Sequence, residues 1–196
     1  MASRRPPEPV DRPLRPLPRA TLRELAGRAV VAARKFRTTP ADLDWAASFL
    51  TPSERTLWDR MSPYEQDHAV QVARRLQRFL APTIHRTEDR WIVAALLHDV
   101  GKMESDFSKL GRVAGTLASR VVSVATARRW ASSARGFRRR VGAYLVHGEI
   151  GARMIREAGG REEAAWWAEV HQGYRDVTAS GYPAAVLQAL IEADVA

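Results

Sequence analysis

Cysteine is absent from the 196 residues. That excludes a disulfide framework, a Cys-ligated zinc finger, an iron–sulfur cluster and a thiol nucleophile, together with the Cys-dependent zinc deaminases. Long apolar runs are missing too. No stretch approaches the ~20 apolar residues of a membrane span, and the best candidate, Val113 to Ala127, is interrupted by Arg120. Met1 to Ala20 contains no apolar run able to serve as a signal-peptide core, so a soluble cytoplasmic protein is the expectation. Alternating apolar and polar residues, hairpin turn signals and internal repeats are also lacking, which argues against a β-sandwich or a solenoid. Lysine is scarce: of 31 Lys plus Arg, only Lys35, Lys102 and Lys109 are lysines.

What the chain does have is positive charge, +9 in all. Such charge suits an anionic partner: a nucleotide or other phosphorylated small molecule, nucleic acid or an anionic membrane surface. A compositional bias toward Arg and Ala would produce the same charge with no anionic ligand. The charge is unevenly placed. Residues 1–40 carry ten basic and three acidic side chains, and Phe107 to His147 contains no acid at all. Arg112, Arg120, Arg128 and Arg129 form a candidate basic patch within that second stretch, with Arg135 and Arg138 to Arg140 beyond. Arg suits bidentate phosphate contacts, and Leu110 to Ala131 also reads as a basic amphipathic helix able to lie on anionic lipid. A solvated helix face is the plain alternative.

The first 20 residues hold six of the 11 prolines. Proline fixes φ and lacks an amide donor, so a disordered basic arm is expected there, with a PxxP spacing inside Arg12 to Pro18. Residues 21–60 are expected to supply helices that pack on a core domain over 61–196. Thr21 to Phe36 has helical spacing. Ser62-Pro63-Tyr64-Glu65 combines an N-cap, a first-turn proline and a capping-box Glu, opening a helix to about Leu80. Val70, Ala73, Leu76, Gln77 and Leu80 lie along one side of it. A helix from near Thr87 through Leu97 is apolar all round and therefore central, with Gly101 as its C′ residue. Further helices are expected over 108–131, 137–157, 162–171 and 184–195, the last opened by Pro183. The fold class is all-α, one helical domain behind the arm.

His98-Asp99 at the end of a buried apolar helix is costly unless the two side chains are paired or hold a metal. A capped helix end, with Asp99 paired to Lys102 and His98 hydrogen-bonded in the core, is the structural reading. Yet His68, His147, His171 and Asp194 each sit on a different expected helix, and facing helices build metal sites in bundles. Imidazole with carboxylate suits a divalent first-row ion: Mn, Fe, Zn, Ni or Co.

The order His68, His98-Asp99, His147, His171, Asp194 resembles the HD-domain superfamily of metal-dependent phosphohydrolases. Asp67 to Ala73 resembles its first-His helix, Ala94 to Lys102 its central motif, His147 to Ala152 its His-x-x-x-Gly segment, and Ala193-Asp194 its closing Asp. The likeness spans about residues 62 to 196, and the chain as a whole is similar to small HD-domain proteins of actinobacteria. The resemblance implies an all-α fold and His68, His98, Asp99 and Asp194 as metal ligands, for one or two divalent ions, Mg included. It implies catalytic roles for Asp99, the shared carboxylate that orients an attacking water, and for Lys102, near the phosphate. His147, His171 and Gln172 fall where binuclear members hold a second metal or the substrate phosphate. Many of those members have two adjacent His where this chain has His171-Gln172. Gly181-Tyr182-Pro183 is similar to an element of cyclic-di-GMP phosphodiesterases, but Asp176 and Val177 depart from their pattern, and the tripeptide reads as a turn. A nucleotide or other phosphoester is the implied substrate; a catalytically weak HD scaffold that binds a nucleotide or an anionic surface as a regulator is the alternative.

Overall fold

A computed structural model of the chain describes residues 38–85, 88–107, 118, 122–173 and 180–195. The proline-rich arm, the Thr21 to Phe36 helix, Arg112 and Arg120 lie outside these residues. Every regular element among the described residues is helical. In chain order these are α1 (Pro40–Ala47), α2 (Pro52–Asp59), α3 (Pro63–Leu80), α4 (Asp89–Leu97), a 3-10 turn (Val100–Ser105), α5 (Val124–Ser133), α6 (Gly136–Leu145), α7 (His147–Glu157), α8 (Glu162–Val170) and α9 (Ala184–Val195).

The first three described helices start by one device. Thr39, Thr51 and Ser62 each cap the helix, a proline follows at the first position, and Asp42, Glu54 or Glu65 closes a capping box. The hydroxyl satisfies an amide left open by the first turn while the carboxylate returns to the cap's own amide. Glu54 also reaches out of its helix, accepting from the Arg161 amide at 3.0 Å and so tying α2 to the start of α8.

The apolar run of α4 fixes the centre of the molecule. Residues 91 to 97 are all buried, so this helix is packed on several sides. It lies between α3 and α8; α9 packs on α3 and α7 on α8. Trp58, Trp91, Trp167, Leu76, Leu96 and Leu190 are nearly inaccessible in this core. A smaller apolar cluster of Val124, Ala127, Val141, Leu145 and Val146 joins the α5–α6 hairpin, which leans on the 3-10 turn through α6.

Two expectations about helix ends are corrected. The helix expected over 137–157 is two helices, because Val146 at φ −113°, ψ 26° leaves helical geometry between them. Of the 108–131 stretch the described residues are Ala118, which is helical, and 122–131, where a helix begins at Val124 with the Ser123 side chain capping the Thr126 amide. Gly101 does not end α4 in a left-handed conformation. It lies inside the 3-10 turn, and the left-handed residue is Asp106, at φ 46°. What requires glycine at 101 is proximity: a Cβ there would stand 2.0 Å from the His147 carbonyl oxygen and 2.5 Å from the Gly151 amide nitrogen. Gln77 is exposed, whereas Ala69 and Val72 complete the buried face of α3. Pro183 stands one residue before α9, accepting from the Val186 and Leu187 amides, after a turn at Gly181 with φ 75°.

Candidate metal centre

The site forms where α4 stops. His98 is the last residue with helical angles and Asp99, at φ −98°, ψ 4°, turns the chain into the 3-10 segment. That places two polar side chains at the end of the apolar run 91–97, where both are about 1 % exposed. Around them α3 brings His68, the start of α7 brings His147, the end of α8 brings His171 and the end of α9 brings Asp194. The structure therefore gathers the six residues singled out from the sequence.

Asp99 is the hub. Its Oδ2 lies 2.5 Å from Lys102 Nζ, 3.4 Å from His98 Nε2 and 3.7 Å from His68 Nε2. Its Oδ1 lies 3.2 Å from His147 Nε2 and 3.6 Å from His171 Nε2. Asp194 Oδ1 faces His98 Nε2 at 3.3 Å and His68 Nε2 at 3.6 Å.

Three of the imidazoles are oriented in the same way. His98 Nδ1 donates to the Ala95 carbonyl at 2.8 Å, His147 Nδ1 to Tyr144 at 2.6 Å and His171 Nδ1 to Ala168 at 2.8 Å. A carbonyl can only accept, so Nδ1 carries the hydrogen and the Nε2 of a neutral ring is a bare lone pair. The consequence is an excess of acceptors. His147 Nε2 and His171 Nε2 stand 3.2 Å apart, and both face the carboxylate of Asp99. His98 Nε2 and Asp99 Oδ1 are fully buried without a hydrogen-bond partner. Buried polar atoms are rarely left so, and such an array calls for positive charge, from a bound cation or from a proton on one of the rings.

The electrostatics express the same need. Burial disfavours a charged His98, yet the Asp99 and Asp194 carboxylates outweigh it and push its pKa up to about 9. For His147 burial prevails, reinforced by Lys102, and its pKa falls to about 4. Burial alone would raise Asp99, but His98, Lys102, His147 and His171 hold it well below the usual carboxylate range. Asp194 is lowered as well, His98 and His68 overcoming its burial. Lys102 is raised because Asp99 outweighs its desolvation. Donor chemistry and geometry both fit a divalent ion: two groups, His68–His98–Asp194 and His98–Asp99–His171, bring their ligand atoms within 4.8 Å of one another.

Gln172 points elsewhere. Its Oε1 accepts from the Gly148 amide at 3.0 Å and its Nε2 donates to the Leu145 carbonyl at 3.1 Å. In the basic stretch, Arg128 is bound by Glu149 of α7, with contacts of 2.6 to 3.1 Å, and Arg129 is exposed. Arg140 pairs with Asp106 at 3.0 Å. Charge on this acid-free segment is thus partly answered by acids from other elements. His85, the remaining histidine, pairs with Glu88 away from the site. The sequence reading missed Arg75, whose Nε donates to the Ala193 carbonyl at 2.7 Å and whose own charge is supported by Asp194 against its burial. It lies seven residues after His68 on α3, two turns along the same face, a spacing that could have marked it.

No described helix is long and apolar enough to cross a membrane. Comparison with curated proteins and with solved structures yielded no match. The family model described as HD domain matches residues 66–194, from just before His68 to Asp194 and well over half of the sequence, and the chain belongs to the HD-domain family.

Proposed function

We propose that the protein is a metal-dependent phosphohydrolase that acts on a nucleotide or another phosphoester. The observation that carries this reading is the buried convergence of Nε2 lone pairs and carboxylate oxygens, with His98 Nε2 and Asp99 Oδ1 unpartnered. His68, His98, Asp99 and Asp194 would hold a divalent ion, with His147 and His171 beside it. A bound ion would lower the pKa of water and polarise a phosphoryl oxygen. The chain's own residues supply the rest. Asp99 accepts a hydrogen bond from an attacking water, while Lys102 offers positive charge to phosphoryl oxygens. His147 and His171 would offer their Nε2 lone pairs to a second ion or, when protonated, hydrogen bonds to those phosphoryl oxygens, and their Nδ1–H bonds to the Tyr144 and Ala168 carbonyls stop the rings from turning.

The second reading is an HD scaffold that binds a phosphorylated ligand without turning it over. It draws on Gln172, whose carboxamide is occupied by backbone partners. A phosphoester and nucleotide panel with metal-supplemented protein separates the two. Hydrolysis by wild type that is lost in His98→Ala/Asp99→Ala supports the enzyme. Calorimetric binding of a nucleotide with no product released supports the binding protein.

A further inference from the structure

Between α6 and α7 only Val146 departs from helical geometry, so two helix ends meet inside the molecule. Helix ends leave amides and carbonyls without intrahelical partners, and buried ones need other partners. Here one side chain meets an acceptor and a donor from both sides of the break. Gln172 Nε2 donates to Leu145 O, at the last residue of α6, and its Oε1 accepts from Gly148 N, in the first turn of α7. A carboxamide presents a donor and an acceptor side by side; a carboxylate has no donor, and an imidazole cannot span the two positions in this way. Glycine at 148 lets the clamp close, since a Cβ there would lie 2.9 Å from Gln172 Oε1 and 2.4 Å from the Ala168 carbonyl oxygen.

His147 lies between the two clamped residues. Its Nδ1 donates to Tyr144, one residue before the clamped Leu145 carbonyl, and its Nε2 faces Asp99 at 3.2 Å. We propose that Gln172 is a positioning residue: its carboxamide splices α6 to α7 and thereby fixes the direction in which the His147 imidazole meets Asp99. The C-terminal end of α8 then does two things with adjacent residues. His171 faces Asp99 directly, and Gln172 sets its neighbour across the site. Gln172 acts through the backbone rather than as a ligand. Only the affinity part of the test rests on the metal reading above.

The test uses the full chain carrying Gln172→Ala or Gln172→Glu. Glutamate keeps the size and the acceptor but removes the donor. In metal-free protein, long-range nitrogen–proton NMR reads each imidazole separately. The expected result is that the His147 Nδ1–H signal shifts or broadens in both variants while that of His98 stays in place and far-UV circular dichroism is unchanged. Co(II) affinity, measured by competition with a chelating dye, should fall about tenfold, the lower end of the loss seen when groups supporting a metal ligand are removed. Unchanged His147 signals in a folded variant overturn the proposal, as does an equal disturbance of His98, which would mark a general loosening. Glutamate preserves side-chain volume, so it carries the test if alanine unfolds the chain. Should wild type take up no Co(II), the metal reading fails, while the NMR comparison still decides the role of Gln172.

Discussion

Single residues at this site do work that their chemistry alone would not reveal. Asp99 faces Lys102 on one oxygen and two imidazoles on the other. Gly101 contributes nothing but the lack of a side chain, yet it lets the 3-10 turn lie against the start of α7. A methyl group at 101 would meet backbone atoms of His147 and Gly151 rather than the end of a flexible side chain. Gly101→Ala should therefore destabilise the protein by about 1–3 kcal/mol, the usual cost of forced overpacking, and should weaken divalent-ion binding at the same time. Urea denaturation together with a Co(II) titration checks this; unchanged stability and binding would show that the two segments separate freely. The His98-Asp99 pair was legible in the sequence because a buried His-Asp pair is chemically costly, whereas His68, His147, His171 and Asp194 were assigned to the same site through the resemblance to the HD-domain family. Arg75 was not legible, and nor was the backbone-bonding role of Gln172, which the sequence had placed only beside the metal or phosphate. Their partners are backbone atoms of Leu145, Gly148 and Ala193, and a bond to a distant carbonyl leaves no mark in composition or spacing.

Elements were legible where their ends carry side-chain signals. Ser62-Pro63 marks the start of α3 correctly, and the same Thr/Ser-Pro-x-Asp/Glu pattern at Thr39 and Thr51 was there to be read. The break at Val146 was not legible, since no proline or capping side chain marks it, and the nearest glycines, Gly142 and Gly148, fall inside α6 and α7 rather than at the break. It is held instead by Gln172, two residues past the end of α8. The caps make a pH prediction. Hydrogen bonds from the Thr39 hydroxyl and amide, then Arg74, lower the Asp42 pKa below its ordinary 3.8. A carboxylate depressed on folding stabilises the folded state above its unfolded pKa, and that contribution disappears as pH falls through the folded value. Asp42→Ala should thus lower Tm at pH 7, and its difference from wild type should narrow steadily below pH 3.8. Thermal melts across that range measure it; a constant difference would mean that packing, not charge, is what Asp42 supplies.

At the scale of the molecule, the core and the site are one construction. The apolar α4 is enclosed by α3 and α8, with α7 and α9 packed against those, and its inner end delivers His98 and Asp99 into the space these helices border. Ligand candidates on five separate segments mean that a bound ion would cross-link most of the fold. An ion that binds the folded chain alone stabilises it by mass action, about 2.7 kcal/mol at a free concentration one hundred times Kd. Chelation should therefore lower Tm, and re-addition of the ion should restore it in wild type but not in His98→Ala.

The central claim is that the buried lone pairs of this site exist to hold a divalent ion. Its most direct test is metal content by plasma mass spectrometry after chelation, reloading with Mn(II), Fe(II) or Zn(II), and desalting. The account predicts about one ion per chain in wild type and almost none in His98→Ala/Asp99→Ala, both folded. Wild-type protein that emerges folded and metal-free under each of these ions would contradict it.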